Sequence, residues 1–291
     1  MAKCKVCFRH CDIKENGTGF CGARTCKDGE VVSSNYGRIT SIALDPIEKK
    51  PLSRFCPGSK ILSVGSYGCN LRCPFCQNSD ISWSDYALSL NDNGDGDGYR
   101  MIMPRDLADL AYHYRYAGNI GVAFTYNEPL IGYEYVRDTA KLVHEMGMKN
   151  VLVSNGTAEI SILDEIGPYI DAMNIDLKGF KEEYYDKTLG GSFDMVKKFI
   201  ERAVIYSHVE LTTLIVPGEN ESDEEMRNIS SWIAGLKNGD GDIIGENIPL
   251  HISRFFPRFK MTDRFATDVS RIYQLADIAR EKLKYVYTGN C

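Results

Sequence analysis

The chain has 291 residues, is 43% hydrophobic and 25% charged, and carries a net charge of −6. This suits one large α/β domain or a barrel with a small appendage. The acidic balance and the lack of a basic stripe argue against a nucleic-acid partner, and no apolar run is long enough to span a bilayer. The start, M-A-K-C-K-V-C, lacks the apolar core of a secretion signal, so a cytoplasmic location is expected.

Ten cysteines in such a chain point to metal ligation rather than disulfides. Cys4, Cys7, Cys11 and Cys21 form a C-x2-C-x3-C-x9-C set in a Gly-rich segment, with Cys26 close behind. A segment this short cannot build its own core, so a metal staple is expected, either a second iron–sulfur cluster or zinc held by four thiolates. His10 is read as a surface residue or one behind the ligands. Residues 30–45 read as two short strands around an Asn-Tyr-Gly turn. Residues 46–58 read as a basic, Pro-containing connection whose Lys49, Lys50 and Arg54, with Lys60 just beyond, form a solvated face. Cys56 and Cys291 stand apart, as packing or exposed thiols.

Residues 61–67 form an apolar, β-rich run that leads into G-C-N-L-R-C-P-F-C-Q-N. Here Cys69, Cys73 and Cys76 are spaced so that one tight loop turns three thiolates toward a common point. A [4Fe–4S] cube normally takes four cysteines, so three leave one iron open to another ligand. A structural zinc knuckle with a distant fourth ligand is the alternative chemistry. The N-D-N-G-D-G-D-G stretch within residues 90–99 invites an EF-hand reading, but no Glu falls at the twelfth position, so a mobile surface loop is expected.

From residue 104 onward, helices and strands alternate. Helices are expected over 104–117, 131–146, 159–167, 193–207, 223–237 and 267–284. Strands are expected over 121–125, 150–154, 172–177, 209–216 and 248–255. With 61–67 these make six β–α units, a parallel sheet closed or partly closed as a (β/α)6 TIM-type barrel. The expected division is a Cys-rich extension with short strands, residues 1–58, and a barrel, residues 59–291. Polar residues gather at the strand ends, where barrels carry their chemistry: Thr125-Tyr-Asn-Glu-Pro129, Ser154-Asn-Gly-Thr157, Asn174-Ile-Asp-Leu-Lys178 and His251-Ile-Ser-Arg-Phe-Phe-Pro257. In the third of these, alternation puts Asn174, Asp176 and Lys178 on one face, with Met173, Ile175 and Leu177 on the other.

The C-x3-C-x-aromatic-C loop, with Phe75 before its last cysteine, resembles that of radical S-adenosylmethionine (SAM) enzymes. The strand ends resemble the pyruvate formate-lyase activating enzyme branch. The nearest likeness within it is to the radical SAM proteins of the AmmeMemoRadiSam set, carried by Asn35-Tyr-Gly-Arg38, Asp45-Pro-Ile-Glu-Lys-Lys-Pro-Leu52, the cysteine loop and Tyr285-Val-Tyr-Thr-Gly-Asn290. The resemblance implies a cluster on Cys69, Cys73 and Cys76 whose open iron is chelated by SAM. It places Asn127 and Glu128 at the SAM amine, Ser154 and Asn155 with Asp176 and Lys178 at the methionine and ribose, and Phe75 and Val216 beside the adenine. Val153 stands where the activating enzymes carry an Asp that serves a cation, so that cation is not carried over.

The implied reaction is reductive cleavage of SAM to a 5′-deoxyadenosyl radical that abstracts hydrogen, as in activases of glycyl-radical enzymes. The implied partners are a reductant such as flavodoxin or ferredoxin and a protein substrate. The alternatives are modification of another protein or of a small molecule, or a non-catalytic, metal-stapled binding protein. Arg254, Arg258, Lys260 and Arg264, interleaved with Phe255, Phe256, Phe259 and Phe265, read either as a receiver of an acidic partner or substrate or as a solvated rim.

Overall fold

The computed structural model describes residues 1–91 and 98–291. The loop expected over residues 90–99 therefore lies largely outside the described residues. The N-terminal segment carries β1 (Ala2–Lys3), β2 (Asp12–Ile13), β3 (Arg24–Lys27), β4 (Glu30–Ser33), β5 (Arg38–Ile39) and β6 (Ser41–Pro46). The first two pair with each other, as do β3 and β4. The hairpin turn falls at Asp28–Gly29, both at positive φ, which is the Asp-Gly signature of a tight two-residue turn. The strands expected on either side of Asn-Tyr-Gly do not pair with each other. Instead β5 pairs with β8 (Arg100–Met101), and β6 lies antiparallel to β7 (Lys60–Gly65).

Beyond β7 come β9 (Asn119–Phe124), β10 (Lys149–Ser154), β11 (Ala172–Asp176), β12 (His208–Ile215), β13 (Leu250–Arg254) and β14 (Val286–Gly289). They form one eight-stranded sheet in the order β14-β13-β12-β11-β10-β9-β7-β6. Every pairing from β7 to β14 is parallel. The edge strands β14 and β6 are not paired with each other, so the barrel is open. The six β–α units are present. The sheet is longer than expected because β6 and β14 extend its two edges.

After the short helices α1 (Ser79–Ser82) and α2 (Asp85–Ser89), the helices that return the chain are α3 (Pro104–His113), α4 (Tyr133–Glu145), α5 (Ile160–Ile166), α6 (Phe193–Tyr206), α7 (Asp223–Ala234) and α8 (Val269–Arg280). Ser192, Ser222 and Asp268 cap three of them by accepting from Met195 N, Glu225 N and Ser270 N. Leu152, Met173, Ile175 and Leu211 face this helix layer and join its core.

The inner face of the sheet is filled differently at its two ends. Toward the strand starts, Ile61, Ala123, Val151 and Ala172 pack on Ile47 and Leu52, which sit in the connection between β6 and β7. That connection plugs the bottom of the barrel. Lys50 is 2% exposed and donates to Asp45 Oδ2 at 2.8 Å, so the solvated face expected there is corrected for this residue. Asp45 also accepts from Lys49 and from Tyr126 OH. Asn174 Nδ2 reaches the Pro51 carbonyl.

Glu210 fixes the far side of the plug. Its oxygens accept from Ser53 N and Arg54 N and contact His208 Nε2 and His251 Nε2, at 2.6 to 2.9 Å. Burial alone would raise its pKa, but these donors hold it at about 2. A carboxyl depressed in the folded state stabilises the fold above its ordinary pKa, and that contribution disappears as pH falls through the folded value. Glu210→Gln is therefore expected to destabilise the protein near neutrality by on the order of 3 kcal/mol. In urea unfolding, the gap between wild type and variant should narrow from about pH 4.5 down to about 2. A gap independent of pH across that window would contradict this account.

Candidate active site

Above the plug, the same inner face opens into a cleft of about 440 Å³. One strand shows the gradation. Ala172 packs in the plug core, Asn174 bonds the plug backbone, and Asp176 lines the cleft. The face of Met173, Ile175 and Leu177 is buried in the main core, as alternation requires.

Cys69, Cys73 and Cys76 line this cleft together with Phe75, Asn127, Glu128, Ser154, Asn155, Asp176 and Lys178. Val216 does not. It is fully buried just past the end of β12, and its N–H donates to Asn220 Oδ1, while Thr212 and Leu214 of β12 face the cleft. Thr125, Ser253 and Phe255, inside the polar strand ends, and Gln77 and Asn78, beside the last loop cysteine, also line the cleft, although the resemblance gives none of them a role at SAM. For Ser253 the signal was available, since it alternates with the inward-facing His251.

The cysteine loop leaves β7 at Gly65 and is held from several sides. Asn127 Oδ1 accepts from Ser66 N, and its Nδ2 donates to the Gly68 carbonyl. Trp83 Nε1 reaches the Cys73 carbonyl, and Lys260 N donates to the Pro74 carbonyl at 2.9 Å. Gly68 has φ +94°, and a Cβ there would stand 2.6 Å from the Cys21 carbonyl, so only glycine admits the N-terminal segment this close. Burial, then mutual repulsion and nearby carboxylates, raise the thiol pKa values, for Cys73 to about 11. A metal that takes thiolates would reverse this order. Leu71 N and Asn155 Nδ2 already point at Cys69 Sγ, at 3.4 and 3.8 Å, as donors to a thiolate would.

Glu128 is 3% exposed. Its Oε1 accepts from Leu130 N and Ser154 Oγ, and its Oε2 accepts from Asn155 N at 2.8 Å. Burial nevertheless pushes its carboxyl up to about 7. The side chain thus secures the Ser154-Asn-Gly turn, where Gly156 adopts φ +67°, and keeps unused acceptor capacity on Oε2. Lys178 Nζ donates to Asp176 Oδ2 at 2.8 Å. Burial opposes the charge on Lys178, but Asp176 and the Cys73 thiol hold its pKa well above the usual value. Phe75 meets Phe255 edge to face at 6.2 Å, forming an apolar wall.

Cys4, Cys7, Cys11 and Cys21 share a second, much smaller cavity with Arg9, Arg24 and Ile131. Burial pushes the Cys21 thiol up to about 12. Cys26 lies outside this set and donates to Glu15. His10 bonds Glu159 on the surface. Among the described residues, no three His, Cys, Asp or Glu side chains converge closely enough to hold a single metal ion, and the central three cysteines share that wider spacing. The N-terminal cavity abuts the cysteine loop: Cys69 N donates to the Cys21 carbonyl at 3.2 Å, and Arg9 Nε donates to the Asn70 carbonyl at 2.9 Å.

Comparison with known proteins agrees with this geometry. An uncharacterized protein of Methanocaldococcus jannaschii is 36% identical over 292 residues, covering 99% of this chain and 81% of its own. The pyruvate formate-lyase 1-activating enzyme of Escherichia coli K12 is 24% identical over 188 residues, 62% of this chain and 71% of the enzyme. Streptococcus suis SuiB, solved bound to S-adenosylmethionine, shares the fold with a TM-score of 0.57 at 13% identity, over 77% of this chain and 48% of SuiB. The Radical SAM superfamily matches residues 63–233, from the strand before the cysteine loop to the helix after β12. Three thiols on one loop, opening into a polar cleft at the strand ends of a parallel open barrel, belong to that match: the chain is an enzyme of the radical SAM superfamily, a family that works with a [4Fe–4S] cluster and SAM.

Proposed function

We propose that residues 59–291 form a SAM-cleaving barrel of the activating-enzyme type, acting on a substrate outside this chain, and that residues 1–58 are a metal-bearing extension. The observation that carries this reading is the cleft itself. It brings the three loop cysteines together with Glu128, the Ser154-Asn155 turn and the Asp176–Lys178 pair. The likeness to the E. coli activating enzyme supports a hydrogen-abstracting role toward a protein partner. The position of the quartet ahead of the SAM loop favours a second reading, modification of another protein or a small molecule. A flavodoxin- or ferredoxin-like reductant fits either reading.

Cys69, Cys73 and Cys76 would hold the cluster. Bound there, cluster and SAM supply one-electron cleavage of SAM and hydrogen-atom abstraction. The chain's residues do the rest. Leu71 N and Asn155 Nδ2 stabilise charge on Cys69 Sγ. Oε2 of Glu128 offers an acceptor to the SAM amine, and Asp176, kept in place by Lys178, offers one to the ribose hydroxyls. Phe75 and Phe255 supply an apolar face for the adenine and exclude water.

Replacing Cys69, Cys73 or Cys76 by Ala should abolish the absorbance and the reduced-state paramagnetic signal of the SAM-responsive cluster. A SAM-responsive cluster surviving in each single variant would refute the assignment.

Asp176→Ala should leave that cluster in place and weaken SAM binding about tenfold or more, as expected for one charge-assisted contact of about 1.5–3 kcal/mol. Glu128→Ala should weaken SAM similarly and also lower the melting temperature, because Leu130 N, Ser154 Oγ and Asn155 N lose their acceptor. SAM affinity unchanged in both variants, measured by equilibrium binding to reconstituted protein, would remove these residues from the SAM site.

The extension is proposed to hold a second metal on Cys4, Cys7, Cys11 and Cys21, supported by their shared cavity. A second cube predicts about eight irons per chain after anaerobic reconstitution. Zinc predicts about four irons and about one zinc. Four irons without zinc would exclude both.

A further inference from the structure

We infer that the substrate carries an anionic group, a carboxylate or a phosphate, and that Arg258 at the mouth of the cleft selects for it. This rests on the reading of the cleft as the SAM site.

The inference comes from charge matching. Most other cations near this end of the barrel have carboxylate partners, and Lys260, which has none among the described residues, lies over the Trp83 and Phe259 rings. Lys178 is bonded to Asp176, Lys181 to Glu225, Arg264 to Glu219 and Asp263, and Arg271 to Asp223. Two cleft-lining guanidiniums, Arg254 and Arg258, have no carboxylate within ion-pair distance among the described residues. Arg254 is held rigidly, with its Nε on the Thr267 carbonyl and its guanidinium over the Phe256 ring at 4.9 Å. Asp268 feels Arg254 electrostatically, but its carboxylate caps α8 through Ser270. Arg258 is exposed, and its side chain makes no hydrogen bond among the described residues.

SAM brings a single carboxylate, enough for one of these guanidiniums. The outer one, Arg258, is left for a second anion. Phe256, 39% exposed and also lining the cleft, offers that ligand an apolar face beside the charge. A guanidinium fork takes a carboxylate or a phosphate with two parallel hydrogen bonds, which neither an amide nor a hydroxyl returns with comparable strength. The segment presenting Arg258 is anchored to the cysteine loop by the Lys260 N to Pro74 carbonyl bond and by Lys260 over the Trp83 ring at 4.4 Å. Its position relative to the thiols is therefore set by direct contacts.

The test uses reconstituted, SAM-loaded protein and three probes of one shape: benzoate, phenyl phosphate and neutral benzamide, titrated calorimetrically. At least one anion should bind about tenfold or more tightly than benzamide. Comparing benzoate with phenyl phosphate tells carboxylate from phosphate. Arg258→Gln should erase the preference for the anion over benzamide, and Arg258→Lys should restore part of it. Because Arg258 is exposed and unbonded, the Gln variant keeps the fold, and its melting temperature verifies this. Equal binding of all three probes, no binding of any, or an anion preference that survives in Arg258→Gln would overturn the inference. Failure of the protein to bind SAM before any probe is added would instead overturn the reading of the cleft.

Discussion

An open barrel has an inner face that must be filled, and the filling decides where the chemistry can be. Parallel strands buried on both sides need apolar neighbours along their whole length unless something polar is bound there. In this chain the Ile47–Leu52 stretch fills the lower half, and Glu210, Asn174 and Asp45 satisfy its backbone and charges. The upper half is left polar and open. The cleft is therefore a consequence of where the plug stops. Asp176 and Ser253 face a ligand space because Asn174 and His251, two residues earlier on their strands, meet protein.

Much of this was legible from residue order. The alternation from residue 104 onward, together with the run at 61–67, gives the six units, with ends shifted by a few residues. Alternation along 173–178 places Asp176 and Lys178 together, and the cysteine spacing marks the loop. What escaped has physical reasons. β14 is only four residues long and owes its place to an existing edge. The Asp28-Gly29 hairpin was overlooked for an Asn-Tyr-Gly turn that in fact carries the chain from β4 to β5. Lys50 looked like a solvated charge because its partner, Asp45, is buried with it, and composition cannot show that a basic stretch turns inward. Val216 shares the period of Thr212 and Leu214, which do line the cleft, but β12 ends at Ile215 and the Val216 N–H turns to Asn220 Oδ1, a departure that neither motif nor alternation shows.

The N-terminal segment and the barrel meet through backbone as much as through side chains. Gly68 lets the Cys21 carbonyl approach, Cys69 N donates to it, and Glu159 N donates to the Val6 carbonyl from the other side. Arg9 lies 3.3 Å and Arg72 3.7 Å from the Phe20 ring, so one aromatic side chain is clasped between a cation from each part. Arg72 also bonds the Phe20 carbonyl and the Cys69 and Leu71 carbonyls, which ties this clasp to the loop backbone.

The Cys21–Cys69 contact has a practical consequence for anyone trimming the protein. A fragment cut to the conventional barrel, starting near residue 59, would keep all three loop cysteines yet leave the Cys69 amide without its acceptor and Gly68 without the surface it packs on. It would also lack β6, exposing the edge of β7 as an unpaired strand that invites self-association. The extension is thus a wall of the molecule, and a fragment that keeps these contacts has to begin before Cys21.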